Sequence, residues 1–170
     1  IEYHVASAET IDFLPISFDV VTACQCVWYF EPTVLIPKLL KIMKKDGRLL
    51  VLYMAWLPDE DKIAGESEKL ILKHNPQWSG AGERLHPIDI APEYLKSFEL
   101  VYHEEYRLNV HFTRESWHGR VKACRGIGAS LSEAEIAGWE TEHKTLLQRI
   151  APDEFDVLHY AALAELKIKN

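Results

Sequence analysis

The reading of this chain turns on Phe18 to Leu52, FDVVTACQCVWYFEPTVLIPKLLKIMKKDGRLLVL. Phe18 to Ala23 is a short Val-rich apolar run, the pattern of a strand buried in a parallel sheet. From Thr33 to Lys45, apolar residues fall at Leu35, Ile36, Leu39, Leu40 and Met43, which is helical spacing. Pro37 has no backbone donor, so it belongs in a first turn or marks a kink. Lys44 and Lys45 suit the negative end of a helix dipole, and Gly47 suits a helix stop. Leu49 to Trp56 then reads as a second buried strand. Strand, helix and strand with short links form a βαβ unit and predict an α/β fold with a parallel sheet.

Further along, Pro58 to His74 reads as a helix with proline in its first turn. A polar loop follows over residues 75–87, then a short helix at Pro92 to Phe98 and a strand at Glu99 to Val110. Thr113 is an N-cap ahead of Trp117. Ser132 and Glu135 have the spacing of a capping box, with Leu131 and Ile136 as its staple. The helix that starts there turns Ile136, Trp139, His143, Leu146, Leu147 and Ile150 to one face and stops before Pro152. Leu158 to Ile168 reads as a closing strand. One domain over residues 1–170 is expected, with 58–98 as a helical insertion or lid and 113–150 as helices between the last two strands.

A formal charge of −7 disfavours a general role with nucleic acid. No apolar run approaches a membrane span, and nothing at Ile1 reads as a signal peptide. Three cysteines, an odd and small number, suit reduced thiols and a cytoplasmic setting. Cys24 and Cys26, two apart on a strand, would face one side. A thiol nucleophile and a metal pair are the sharp readings of that pair; small buried packing residues are the plain one, and no spacing here matches a zinc site. The eight histidines show no HxxxH or HxH arrangement.

FDVVTACQCVWYFEP, followed one helix later by LLKIMKKDGRLLVL, resembles the second half of a class I S-adenosylmethionine-dependent methyltransferase. In that family an acidic or polar turn follows strand three. Strand four reads FD-hydrophobic-V and ends in small and polar residues. The matching positions here are Ser7-Ala8-Glu9, Phe18 to Val21, Ala23 to Gln25, Trp28 to Glu31 and Met43 to Arg48. The resemblance implies an incomplete Rossmann-like sheet, strands three to seven with flanking helices. The glycine-rich loop after strand one and the acidic residue after strand two have no counterpart. Gly126-Ile127-Gly128 follows a helix and does not qualify as such a loop. About two strand–helix units are missing, roughly 60 residues at ~30 each. The chain is therefore expected to be a C-terminal portion that begins inside strand three.

The resemblance also implies site residues. Ser7, Ala8 and Glu9 would line the adenine of S-adenosylmethionine, and Ala23, Cys24 and Gln25 its methionine part. Ser7 to Glu9 reads equally as a polar turn, and Gln25 equally as a residue satisfying local backbone. Trp28, Tyr53 and Trp56 can wall a substrate pocket or belong to the core. The helix from Arg114 to Arg125 is basic in an acidic chain. Its Arg114, His118, Val121 and Arg125 share a face that can take a carboxylate or phosphate, or be a solvated surface. Arg114 and Arg120 are the substrate-binding candidates there. His118 and Tyr29 are the candidates to orient or deprotonate the acceptor. No metal is implied.

Two functions of different class follow. One is methyl transfer to a small, acidic molecule, with this stretch inactive alone for want of half the cofactor site. The other is a non-catalytic binding or dimerisation module on the same fold. In the family's strand order, 3-2-1-4-5-7-6, loss of strands one and two leaves strand four at an edge. An apolar edge recruits a partner strand, so self-association through it is expected.

Overall fold

The computed structural model describes residues 1–169. In chain order its elements are β1 (Phe18–Cys24), a 3-10 turn (Val27–Tyr29), α1 (Pro32–Ile42), β2 (Met43–Trp56), α2 (Lys62–His74), α3 (Pro92–Ser97), β3 (Phe98–Thr113), α4 (Arg114–Lys122), α5 (Glu133–Ile150) and β4 (Glu154–Ile168). The sheet has four strands in the order β1-β2-β4-β3. This is the expected 4-5-7-6 order, with strand four, now β1, at the edge. β1 and β2 run parallel. Lys169 N–H donates to Ser97 C=O, and Arg114 N–H donates to Asp153 C=O. Each end of β3 thus meets the opposite end of β4, so that pair is antiparallel.

The expected third strand does not form. Residues 1–17 hold no strand; a turn takes their place, with the Thr10 and Ile11 N–H groups both donating to Ser7 C=O. α1 also ends three residues early, because Met43 pairs with Phe18 in the sheet. The register then jumps to Val20 opposite Arg48, so residues 44–47 form an irregular bulge. Lys44 Nζ holds Asp19 at 2.8 Å across it. A Cβ on Gly47 would stand 2.9 Å from Lys44 O and 3.2 Å from Phe18 O, so only glycine fits without a shift. α2 starts at Lys62 rather than Pro58, because Asp61 is the cap: Oδ1 accepts from Ala64 N–H, and Oδ2 accepts from Leu158 N–H.

The described chain divides into two compact units, one of residues 1–54, 86–105 and the segment from Ala161 on, the other of residues 55–85 and 106–160. The first is built on Leu35, Ile36 and Leu39 of α1, packed with Leu49, Val51, Phe98 and Leu166. The second holds α2, α4 and α5 around Trp117, Trp139, Ile71, Val121 and Leu147. Both tryptophans are 0% exposed. Burying one such side chain stabilises by about 1.5–3 kcal/mol, against ~0–1 for an exposed ion pair such as Lys73–Glu142. The apolar seam, not the surface charges, holds the helices.

The N-cap read at Thr113 and the capping box read at Ser132 are both present, and Thr113 forms a full box with Ser116. Thr113 Oγ1 accepts from Ser116 N–H while Ser116 Oγ accepts from Thr113 N–H. Ser132 and Glu135 exchange the same pair of bonds at the start of α5.

Candidate functional site

The two segments expected to hold the cofactor, Ser7 to Glu9 and Ala23 to Gln25, each contribute one residue, Ala8 and Ala23, to the lining of a cavity in the first unit. Its volume is about 280 Å³, and Ala8, Phe13, Ala23, Val27, Phe30 and Tyr94 are among its walls. Ser7 Oγ accepts from Glu9 N–H at 3.2 Å and shapes the turn that presents Ala8. Glu9 Oε1 accepts from Glu31 N–H at 2.7 Å. Glu31 in turn caps α1, accepting from Thr33 N–H. The turn is thereby tied to the start of α1, so the Glu9 carboxylate serves the backbone.

β1 ends at Cys24, and the chain turns at Gln25, whose φ is +54°. Such a φ is uncommon for a non-glycine residue. Gln25 is held there by its N–H on Leu52 C=O (2.8 Å) and its Nε2–H on Met54 C=O (2.6 Å). The side chain thus satisfies local backbone, the plainer of its two readings. This turn also removes the premise that Cys24 and Cys26 share a strand face: Cys26 lies past the strand, on the cavity wall, while Cys24 is exposed. Burial, with Cys24 beside it, pushes the Cys26 thiol above its ordinary range. It stays protonated near neutral pH, which disfavours a nucleophilic role. Among the described residues no group of three His, Cys, Asp or Glu is placed to hold a metal.

The fit to S-adenosylmethionine is partial. Pockets for whole ligands run to about 300–1,000 Å³ and are mainly apolar. Ala8 and Ala23 are among the walls of this cavity, and its size and apolar lining suit one part of such a ligand rather than the whole. When bound, the cofactor supplies a methyl group on a sulfonium, and the protein's task is alignment and exclusion of water.

Of the substrate-wall residues, Trp28 and Tyr53 come together, their rings edge to face at 5.4 Å, with Tyr53 leaning on His86. Trp28 Nε1–H donates to Asp89 C=O at 3.1 Å, pinning the residue 86–91 loop. Tyr29 is exposed at the end of the 3-10 turn. Trp56 lies in the second unit, in its core, with the Arg120 guanidinium stacked 5.0 Å over its ring.

Arg114 and His118, two residues of the basic face of α4, are engaged inside the second unit. Arg114 Nε–H and Nη2–H both donate to Ala151 C=O, and Nη1 pairs with Asp153 at 2.7 Å, so Arg114 staples α4 to the end of α5. His118 is buried. Its Nδ1 lies 2.9 Å from His143 Nδ1, and its Nε2 lies 3.3 Å from Glu140 Oε1. Its ring stacks on Trp139. Both nitrogens are engaged inside the helical unit, so the base assigned to His118 from sequence is not presented to an acceptor. The chain of bonds continues to Ser67. Trp117 Nε1–H donates to Ser67 Oγ (3.0 Å), Ser67 donates its one proton to Ile63 C=O (2.7 Å), and His143 Nε2 sits 3.1 Å from the same Oγ. Ser67 has no second proton, so His143 must donate from Nε2 and accept at Nδ1. Burial holds both histidines below the ordinary range, His143 at about 3.

Sequence reading missed Glu68 and His159. Glu68 takes Trp56 Nε1–H at 2.9 Å and Gly82 N–H at 2.7 Å. His159 is 1% exposed in β4. Its alternation with Val157 and Phe155 on the strand marked it as inward, but a single inward histidine carries no motif.

Residues 1–51 match a family model described as Methyltransferase domain. The match covers the stretch whose motifs carried the resemblance. No curated protein matches. Among solved structures, a protein from Anaeromyxobacter dehalogenans assigned to the type II methyltransferases is 12% identical, with a TM-score of 0.52 over 98% of this chain and 71% of that one. A Bacillus halodurans protein assigned as a methyltransferase is 17% identical, with a TM-score of 0.43 over 98% and 76%. Geranyl diphosphate C-methyltransferase from Streptomyces coelicolor, solved with S-adenosyl-L-homocysteine, is 12% identical, with a TM-score of 0.37 over 98% and 52%. The first of these likenesses shows the fold. Residues 1–51 carry the sequence of a methyltransferase domain on that fold. No helix among the described residues is long and apolar enough to cross a membrane.

Proposed function

We propose that the protein methylates a small, acidic molecule, with the adenine of S-adenosylmethionine seated in the cavity of the first unit. One observation carries the cofactor half: Ala8 and Ala23, assigned to the cofactor by separate motifs, line the same cavity. The small acceptor is favoured by the aromatic pair Trp28–Tyr53 at the carboxyl ends of β1 and β2, where open α/β sheets bind ligands. The acidic character of the acceptor is carried over from the basic sequence of α4 alone. The 170 residues hold no glycine-rich loop after a strand, so we expect this stretch alone to bind the cofactor weakly and to be inactive. We also keep the expectation of pairing between two copies at β1, an edge strand with Val20 48% exposed.

Calorimetric titration with S-adenosylmethionine tests the reading. Binding weaker than micromolar that Ala23→Trp abolishes is the expected result. Micromolar binding would overturn the need for the absent loop, and binding indifferent to Ala23→Trp would overturn the cavity assignment.

A further inference from the structure

The cavity of the first unit is lined mainly by apolar side chains, yet a phenol stands in its wall. Tyr94, on α3, borders it together with Ala8, Ala23, Cys26 and Leu39. The residue is 2% exposed, and its hydroxyl is buried with no hydrogen-bond partner among the described residues. A buried hydroxyl without a partner is a cost to folding, and such a group calls for an explanation. Two other polar residues of the lining are accounted for. Lys38 Nζ–H donates to Ile11 C=O, and Thr22 is exposed. Cys26 keeps its thiol proton and is a weak donor at best.

Tyr94 is also held in place. Its N–H donates to Ala91 C=O at 3.0 Å. Lys169 ties down the far end of α3, its N–H on Ser97 C=O at 3.0 Å and its Nζ on Leu95 C=O at 2.6 Å. The Trp28 bond to Asp89 C=O fixes the chain that leads into α3. The ring packs in the core of Leu35, Leu39 and Phe98, so the phenol is not free to swing out to water. Burial pushes it above its ordinary range, so it keeps its proton near neutral pH. Few, fixed polar groups in an apolar wall are what orient a ligand.

We propose that Tyr94 is a recognition residue for the adenine base, donating its O–H to a ring nitrogen of the base seated in this cavity. This deepens the cofactor reading of the preceding section and rests on it. Tyr94→Phe then has two effects of opposite sign. It removes an unpaired hydroxyl from the free chain, and it removes a partner from the ligand.

The test is an NMR titration of the chain carrying 13Cζ-tyrosine and 13C-alanine methyl labels. The probes are adenosine and its 1-, 3- and 7-deaza analogues, each lacking one ring nitrogen. Adenosine should move the Tyr94 ζ-carbon along the same saturation curve as the Ala8 and Ala23 methyls. Tyr94→Phe should weaken adenosine by about 2–10-fold, the worth of one net hydrogen bond. One of the three analogues should be weakened by the same factor on the parent, and should bind Tyr94→Phe as adenosine does. The urea midpoint of the free Tyr94→Phe chain should equal or exceed that of the parent. Adenosine binding indifferent to Tyr94→Phe, or equal binding of adenosine and all three analogues, would overturn the proposal. So would a lowered midpoint, which would make the hydroxyl a structural group. Unmoved Ala8 and Ala23 methyls would sink the cofactor reading and this proposal with it. Methyls that move while the Tyr94 ζ-carbon stays still would sink this proposal alone.

Discussion

Ser67→Ala probes the polar seam of the helical unit most sharply. Ser67 is 0% exposed and accepts from two buried donors, Trp117 Nε1–H and His143 Nε2–H. Alanine removes the acceptor and leaves both donors in place. An orphaned buried donor costs about 1–3 kcal/mol, so two cost ~2–6. The better helix propensity of alanine inside α2 offsets up to ~0.7 kcal/mol of that. Ile63 C=O loses only a second donor and adds little. The net loss should be roughly 2–4 kcal/mol once partial relaxation is allowed for, or a fall in midpoint temperature on the order of 4–16 °C. Urea denaturation followed by tryptophan fluorescence measures it. Pairing Ser67→Ala with His143→Leu removes one orphan, so the double variant should be less unstable than the sum of the two singles. A Ser67→Ala variant within ~0.5 kcal/mol of the parent would refute the reasoning, since that is the range of an inconsequential surface change.

His143 and His159 are held neutral by burial, His143 at about 3 against an ordinary 6.5. The unfolded chain binds protons the folded one refuses, so stability is full above about pH 6.5 and falls as pH drops toward 3. Each histidine contributes up to ~1.4 kcal/mol per pH unit, and His143→Phe should flatten a urea-midpoint profile over that window. Gly47→Ala should lose about 1–3 kcal/mol in chemical denaturation, because its Cβ meets Lys44 O at 2.9 Å in a backbone-lined site. Light scattering should show concentration-dependent association that Val20→Lys weakens, because charge on an edge strand blocks pairing.

Much of the fold was legible because its signals are local. The N-cap at Thr113, the capping box at Ser132, the apolar face of α5 and the β1–α1–β2 order all depend on spacing within a few residues. The early end of α1 was not legible, since Met43 joins the sheet only because Phe18 lies beside it. Nor was the fate of Arg114 and His118. Helical spacing put them on one face but could not say that α5 covers it. The site divides the same way. Ala8 and Ala23 come from motifs, whereas the burial of His159 Nε2 without a partner among the described residues is something a sequence does not display.

The proposed function stands on Ala8 and Ala23 walling one cofactor cavity. Methyl NMR of the 13C-alanine-labelled chain, titrated with S-adenosyl-L-homocysteine to millimolar concentration, tests it directly. The Ala8 and Ala23 resonances should shift together along one saturation curve, while Ala134 and Ala137 on α5 stay still. Unmoved Ala8 and Ala23 methyls, with or without shifts elsewhere, would contradict it.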